Sequence, residues 1–325
     1  MQSVIEGERS TGAVAQGSAG RTASLRRIAT ETSTTPAHGL KARREDEFNT
    51  ERHVYEPHKV GLPPLRSYFR ELWKRREFAY EMARTDMRAQ HLDTTFGRLW
   101  LLLNPLLLAG VYFILVDILR RGKHVQPHYL EHLVLEIFAY YYVSGAIRAG
   151  ARTVVGGGKL VLNTAFPRLL LPLSSVLEHF LRFLPTLVIY GIIHVAAGLP
   201  VGPHLLLVIP LVILLTAIAA GLSMFVSALQ VYFRDLTQFL PYMLRLWLYL
   251  SPVLWTVSQI DKRGLHFLVW INPIGPPLVA LSDLVIDGYV PAASLFAASA
   301  GWAVLLGLIG SIFFMSRERD FAVRL

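Results

Sequence analysis

The sequence predicts an all-α integral membrane protein with six transmembrane helices, an amphipathic interface helix before them and a re-entrant segment before the last. Three observations carry this. Of the 325 residues, 53% are of hydrophobic type, and the mean hydropathy is +0.42. Several windows approach the roughly 20 apolar residues needed to cross a bilayer. Finally, Phe233-Arg234-Asp235-Leu236 sets an ion pair between two long apolar runs, and the second run breaks at Ser251-Pro252. Charge in hydrocarbon costs several kcal/mol, so this stretch reads as a surface turn followed by a membrane helix broken within its length.

In chain order, residues 1–62 are rich in Ser, Thr, Gly, Arg and Glu without sustained periodicity, and read as a disordered cytoplasmic tail. Met1 to Thr35 has no apolar core and so is no signal peptide. Residues 63–98 hold the interface helix. Leu65, Tyr68, Phe69, Leu72 and Trp73 recur at helical spacing beside Arg66, Arg70, Lys74, Arg75 and Arg76. Such a helix lies in the interface or packs on the protein's own face, and the two are compatible.

Residues 99–315 form the membrane domain. The first span is expected at 99–119, interrupted by Asn104-Pro105, and the second at 133–151, with Tyr140-Tyr141-Tyr142. A loop over 153–168 carries three consecutive glycines. The third span, 169–197, holds Glu178 and Arg182, four apart and therefore on one face. The fourth and fifth are expected at 205–231 and 239–257, the fifth broken at Pro252. Residues 271–287 are apolar but interrupted by Pro and Gly, hence re-entrant. The last span is 292–315, and residues 316–325 form a basic cytoplasmic tail.

Net charge is +9, from 32 basic and 23 acidic residues. Basic flanks of spans account for it better than a nucleic-acid partner, because cytoplasmic loops concentrate Lys and Arg. The N-terminal flank, the 153–168 loop, the turn at Arg234 and Asp235, and the C-terminal residues all carry positive charge, which places both termini in the cytoplasm. Arg120, Arg121, Lys123, Lys262 and Arg263 run against that count. There are no cysteines, which excludes disulfides and thiolate metal sites.

The missing motifs narrow the function. Gly156-Gly157-Gly158-Lys159-Leu160 lacks the first glycine and the hydroxyl of a phosphate-cradling loop. No hydrolase or zinc-protease motif occurs. A secondary transporter usually places unpaired ionisable groups at mid-membrane, whereas Glu178 and Arg182 neutralise each other. The expectation is a conduit without catalytic, cofactor or metal sites, driven by another protein.

The motifs resemble those of the membrane-spanning permease subunits of type-2 ABC transporters, in the branch exporting lipid-linked polysaccharides such as O-antigen and teichoic acid. Over residues 65–325 they occur in family order: Leu72-Trp73 with Thr85-Asp86, Thr94 to Trp100 before Asn104-Pro105, Phe166-Pro167-Arg168 before Leu171 to Leu177, Phe233 to Leu236 running to Ser251-Pro252-Val253, Asn272-Pro273, and Phe321-Ala322. The resemblance implies a homodimeric channel in a bacterial cytoplasmic membrane, above two copies of a separate ATPase that binds ATP and magnesium. It also implies a coupling helix docking on that ATPase over 158–168, including Lys159, Asn163, Phe166, Pro167 and Arg168.

A polysaccharide crossing roughly 30 Å of hydrocarbon can be held by aromatic faces that pack on sugar C–H bonds. The candidates are Trp100, Tyr112, Tyr140, Tyr141, Tyr142, Tyr242, Trp247, Tyr249 and Trp255, and of these Tyr112, Tyr141, Tyr242, Trp247, Tyr249 and Trp255, with Arg245, are the expected channel residues. Tyr242 and Tyr249 lie seven apart on one helix face, with Arg245 between them. Core packing or an interfacial aromatic belt is the alternative for each. Arg88, Arg98 or Arg245 would guide an anionic diphosphate head group, although for Arg88 and Arg98 ordinary positive-inside flanking is the favoured alternative. Other readings are the same fold with a lipid or drug as cargo, a membrane-embedded glycosyl- or acyltransferase using Asp283 and Asp287, and an anchored scaffold.

Overall fold

The computed structural model describes residues 64–89, 97–120, 127–163, 166–261 and 264–325. The tail expected over 1–62, the basic residues Arg121, Lys123, Lys262 and Arg263, and the side chains of Arg88, Arg98, Lys159 and Asn163 lie outside what is described. Among the described residues every regular element is helical.

The segment expected to be one interface helix is two: α1 (Leu65–Lys74) and α2 (Arg76–Ala89), separated at Arg75, which leaves helical geometry at φ −99°, ψ 17°. The apolar stripe divides accordingly. Tyr68 and Leu72 pack against the protein, while Leu65, Phe69 and Trp73 are exposed. On α2, Ala79 and Ala83 are buried, and this small-residue face lets α2 lie against α6 (Leu170–Ala196).

Next come α3 (Trp100–Arg120), with Pro105 inside it, and α4 (Tyr129–Gly156), the longest helix at 28 residues. The loop expected from residue 153 is mostly helical instead: α4 runs on to Gly156, and α5 (Gly158–Asn163) follows one residue later. After α6 come α7 (Val208–Tyr232) and α8 (Leu236–Leu250). Short α9 (Val257–Asp261) and α10 (Phe267–Ile271) lead to α11 (Gly275–Val285), α12 (Ala293–Arg317) and α13 (Phe321–Arg324).

Among the described residues, three stretches are long and apolar enough to cross a membrane: Leu170–Ala196, Pro203–Tyr232 and Ala293–Arg324. Around them the core is built by close approach. A Cβ on Gly310 of α12 would run into the Gly221 carbonyl of α7, and one on Gly221 would meet the α12 backbone at Leu306. Small residues at such crossings let helix backbones touch where lipid supplies no hydrophobic drive. Where α4, α6 and α7 meet, Ser175 and Ser223 are buried at 3.4 Å from each other, and Gly150 leaves the space that Ser223 fills. The Ser175 hydroxyl donates to the Pro172 carbonyl on its own helix at 2.8 Å, so no buried hydroxyl there is stranded.

Two expectations about the fifth span change in detail. The helix begins at Leu236, and it stops at Leu250 rather than passing through Pro252 as a kink. Ser251 sits in extended geometry, φ −92°, ψ 153°, because the residue before proline is excluded from the helical region. Turns at residues 251–255 take the chain away from the helix axis. Nor do Arg234 and Asp235 pair: Arg234 donates to the Arg324 carbonyl at 2.9 Å. Adjacent residues point in different directions, so adjacency in sequence did not imply contact. The basic segment 316–325 is docked rather than a free tail. Phe321 is fully buried, its ring 5.2 Å from that of Phe314. Arg324 lies over the Tyr232 ring at 4.4 Å.

Candidate functional site

Five of the seven expected channel residues come together. On α8, Tyr242, Arg245 and Tyr249 form one exposed stripe, with Tyr242 69% and Tyr249 47% accessible. Leu240, Leu244 and Leu248 are buried on the opposite side, so burial of the leucines is what turns the tyrosines outward. The Tyr112 ring of α3 meets Tyr249 edge-on at 6.5 Å. Tyr141 of α4 is 37% exposed and lies within electrostatic reach of Arg245, as Tyr112 does.

The three consecutive tyrosines separate by role. Tyr140 donates to the Leu244 carbonyl of α8, and Tyr142 donates to Thr216 Oγ1 at 2.8 Å while stacking on Phe183 at 4.9 Å. Helical geometry sends successive residues about 100° apart, so only Tyr141 of the three faces outward.

Trp247 and Trp255 are elsewhere. Trp247 donates to Asn272 Oδ1 at 2.8 Å, and Asn272 Nδ2 donates to Ser251 Oγ at 2.8 Å. Asn272 Oδ1 also receives the Ile274 N–H at 3.2 Å. Thus Ser251-Pro252 and Asn272-Pro273 are two halves of one staple that fixes the end of α8 to the start of α11. Trp255 donates to the Tyr249 carbonyl at 3.0 Å. With Tyr129, His132, Asp283 and Asp287 it lines a cavity of about 550 Å³. That cavity holds the acidic pair considered for a transferase. The His132 ring is engaged by Ser282 at 2.9 Å, and no group of three or more metal-ligating side chains exists among the described residues.

At the other end of α4 lies the expected coupling segment. Pro167 is buried, and the Phe166 ring packs on Phe78 of α2 at 5.6 Å. Arg168 turns inward. Its guanidinium donates to the Glu318 backbone carbonyl, and its backbone N–H donates to Glu318 Oε1 at 2.6 Å. Tyr68 of α1 donates to the other Glu318 oxygen at 2.7 Å. Burial, with Glu318 beside it, holds the Tyr68 hydroxyl well above its ordinary pKa. One carboxylate therefore ties α1, the 166–168 turn and the C-terminal helices together. The sequence reading missed Glu318, and its only signal was an acid, with Asp320 beside it, in a basic segment.

Between these ends, Glu178 and Arg182 of α6 form the ion pair expected from their spacing. They line a cavity of about 520 Å³ with Asp86 of α2 and with Arg148 and Arg152 of α4. Burial pushes the Asp86 carboxyl above its ordinary pKa, and Arg182 opposes that shift.

Long apolar helices packed through glycine and serine, with an aromatic stripe left open on one side, mark a multi-pass helical membrane protein. The comparisons make the class specific. Residues 159–286 match the family described as ABC-2 type transporter. The chain is 25% identical over 254 residues to the O-antigen export system permease protein RfbA of Myxococcus xanthus, covering 78% of this chain and 97% of that protein. It is 26% identical over 204 residues to the protein of the same name from Klebsiella pneumoniae, covering 62% and 78%. These matches bear out the resemblance read from the motifs: the chain is similar to membrane-spanning permeases of the ABC-2 type.

Proposed function

We propose that this chain is the channel subunit of an ATP-driven exporter that moves a lipid-linked polysaccharide across a bacterial cytoplasmic membrane. The observation that carries the cargo is the similarity to O-antigen export permeases along 78% of the chain. The aromatic stripe on α8 supports it, because flat faces spaced along a helix suit a polymer that must slide.

In this reading α3, α4, α6, α7, α8 and α12 are the six spans, α1 and α2 lie at the membrane interface, and α10 with α11 forms the re-entrant segment. Both termini are cytoplasmic. Two copies of the chain enclose the path, with Tyr112, Tyr141, Tyr242, Arg245 and Tyr249 of each facing it. Trp247 fixes the end of α8, and Trp255 lies toward the far end. Two copies of a separate ATPase, which binds ATP and magnesium, dock on α5 and the turn through Phe166, Pro167 and Arg168. Arg234 and Asp235 lie on that same side. Glu318 and Tyr68 would carry motion at that contact into α1 and α12, since they bond to the turn directly.

The test is export in cells lacking the chromosomal gene. Complementation with the parent restores surface glycan. The Tyr242→Ala/Tyr249→Ala variant, at equal membrane abundance, lowers the export rate at least tenfold. If deletion leaves surface glycan unchanged, the polysaccharide reading is wrong. If the double variant exports at the parental rate, the stripe is not the path.

A further inference from the structure

Arg148 and Arg152 lie four residues apart on α4 and are both exposed, so they set two like charges on one helix face. Neither makes an ion pair or a hydrogen bond among the described residues. Arginine in a membrane helix nearly always has a partner or faces a water-filled cavity. Here it is the cavity of about 520 Å³ walled by α2, α4 and α6, a size common to ligand sites. Its other charges are Asp86, Glu178 and Arg182. Glu178 and Arg182 bond to each other, and Arg182 also acts on Asp86, so three arginines stand against two carboxylates. The cavity is therefore set up for an anion.

Its neighbour says what kind of anion. A second cavity, of about 370 Å³, shares Gly145, Arg148, His179 and Arg182 with the first. Gly145 is required at the join, because a Cβ there would strike the His179 ring. The second cavity is otherwise aromatic, with Trp100, Tyr141, Tyr142 and Phe183 among its walls. Tyr141 is one of its walls and lies within electrostatic reach of both Arg148 and Arg245, so it stands between the arginine cavity and the aromatic stripe. Asn104 and Pro105 of α3 close its side, and α3 leaves Leu107, Val111 and Ile114 exposed. Positive charge, aromatic surface and an open apolar helix therefore follow one another.

We propose that this cavity is a loading site for a lipid diphosphate: Arg148 and Arg152 hold the phosphates, and the aromatic cavity beside them takes the first sugars. Planar guanidinium forks match phosphate oxygens in pairs. The open face of α3 gives the lipid tail an apolar surface next to its head group. The site rests on the lipid-linked polysaccharide reading but assigns it residues that no motif marked.

The experiment uses the full chain in nanodiscs of phosphatidylcholine and measures equilibrium binding of a radiolabelled polyprenyl diphosphate. Arg148→Gln/Arg152→Gln raises Kd at least tenfold, and each single Gln variant about threefold. The double lysine variant stays within about threefold of the parent. Arg66→Gln/Arg70→Gln, on exposed α1, leaves Kd unchanged. Should the double Gln variant fail to fold by circular dichroism, the two singles decide.

A double Gln variant within twofold of the parent overturns the site, and so does an equal loss from the Arg66/Arg70 pair. Competition by phosphatidylglycerol at the same concentration as the prenyl diphosphate means an annular lipid only. Equal competition by inorganic diphosphate means a free-phosphate site; either overturns the proposal. Arginine-dependent binding in a protein that exports no glycan refutes the cargo reading alone. Glycan export with arginine-independent binding refutes the site alone.

Discussion

The contact between α7 and α12 and the contact between α3 and α8 are built on opposite rules. The first brings backbones together through Gly221 and Gly310, with no room for a single added carbon. The second is made by long side chains, the edge-on rings of Tyr112 and Tyr249, and leaves Tyr242 exposed. Apolar helices lose little by separating into lipid, so close van der Waals contact holds them. Where contact is made by side-chain tips instead, the helices can move apart at small cost. The difference divides the molecule into a stiff frame and, in the proposed function, a looser lining that can adapt to cargo.

The largest expected effect comes from breaking the frame. Gly310→Leu forces α12 away from α7, and overpacking of this kind costs about 1–3 kcal/mol, more where backbone must shift. Thermal unfolding in detergent would show a fall of several degrees or loss of folded protein. An unchanged midpoint would mean the crossing is not tight. Next is Glu318→Ala, which strips the acceptor from Tyr68 and from the Arg168 N–H. Removing bonds to a carboxylate costs about 2 kcal/mol, and limited proteolysis would then release α1 first. The smallest is Tyr242→Ala, within about 0.5 kcal/mol of the parent, as for exposed positions generally. A loss there as large as that of Gly310→Leu would end the distinction between frame and lining.

The stiff frame was partly legible. Hydropathy marked the three most apolar helices, and the spacing of Glu178 and Arg182 gave their pairing. Gly221 and Gly310 were not legible, since a glycine in an apolar run looks the same whether it touches another backbone or lipid. On the lining, the seven-residue spacing of Tyr242 and Tyr249 sufficed to put both on one exposed face. Trp247 and Trp255 look equivalent in sequence, and only their partners, Asn272 and the Tyr249 carbonyl, send them elsewhere. Arg234 and Asp235 misled because neighbours in sequence diverge in space.

By itself the sequence determined the class, the helical content and the order of elements, because apolar length, helical periodicity and proline act locally. The family followed from short motifs in register. Only the tertiary structure decided which partners those motifs serve. It joined Ser251 to Asn272 across 21 residues and Arg168 to Glu318 across 150. It also turned Arg148 and Arg152 into one cavity with Asp86. Those contacts depend on how helices cross, and crossing is set by which surfaces pack most closely, a property of pairs of helices rather than of any single segment.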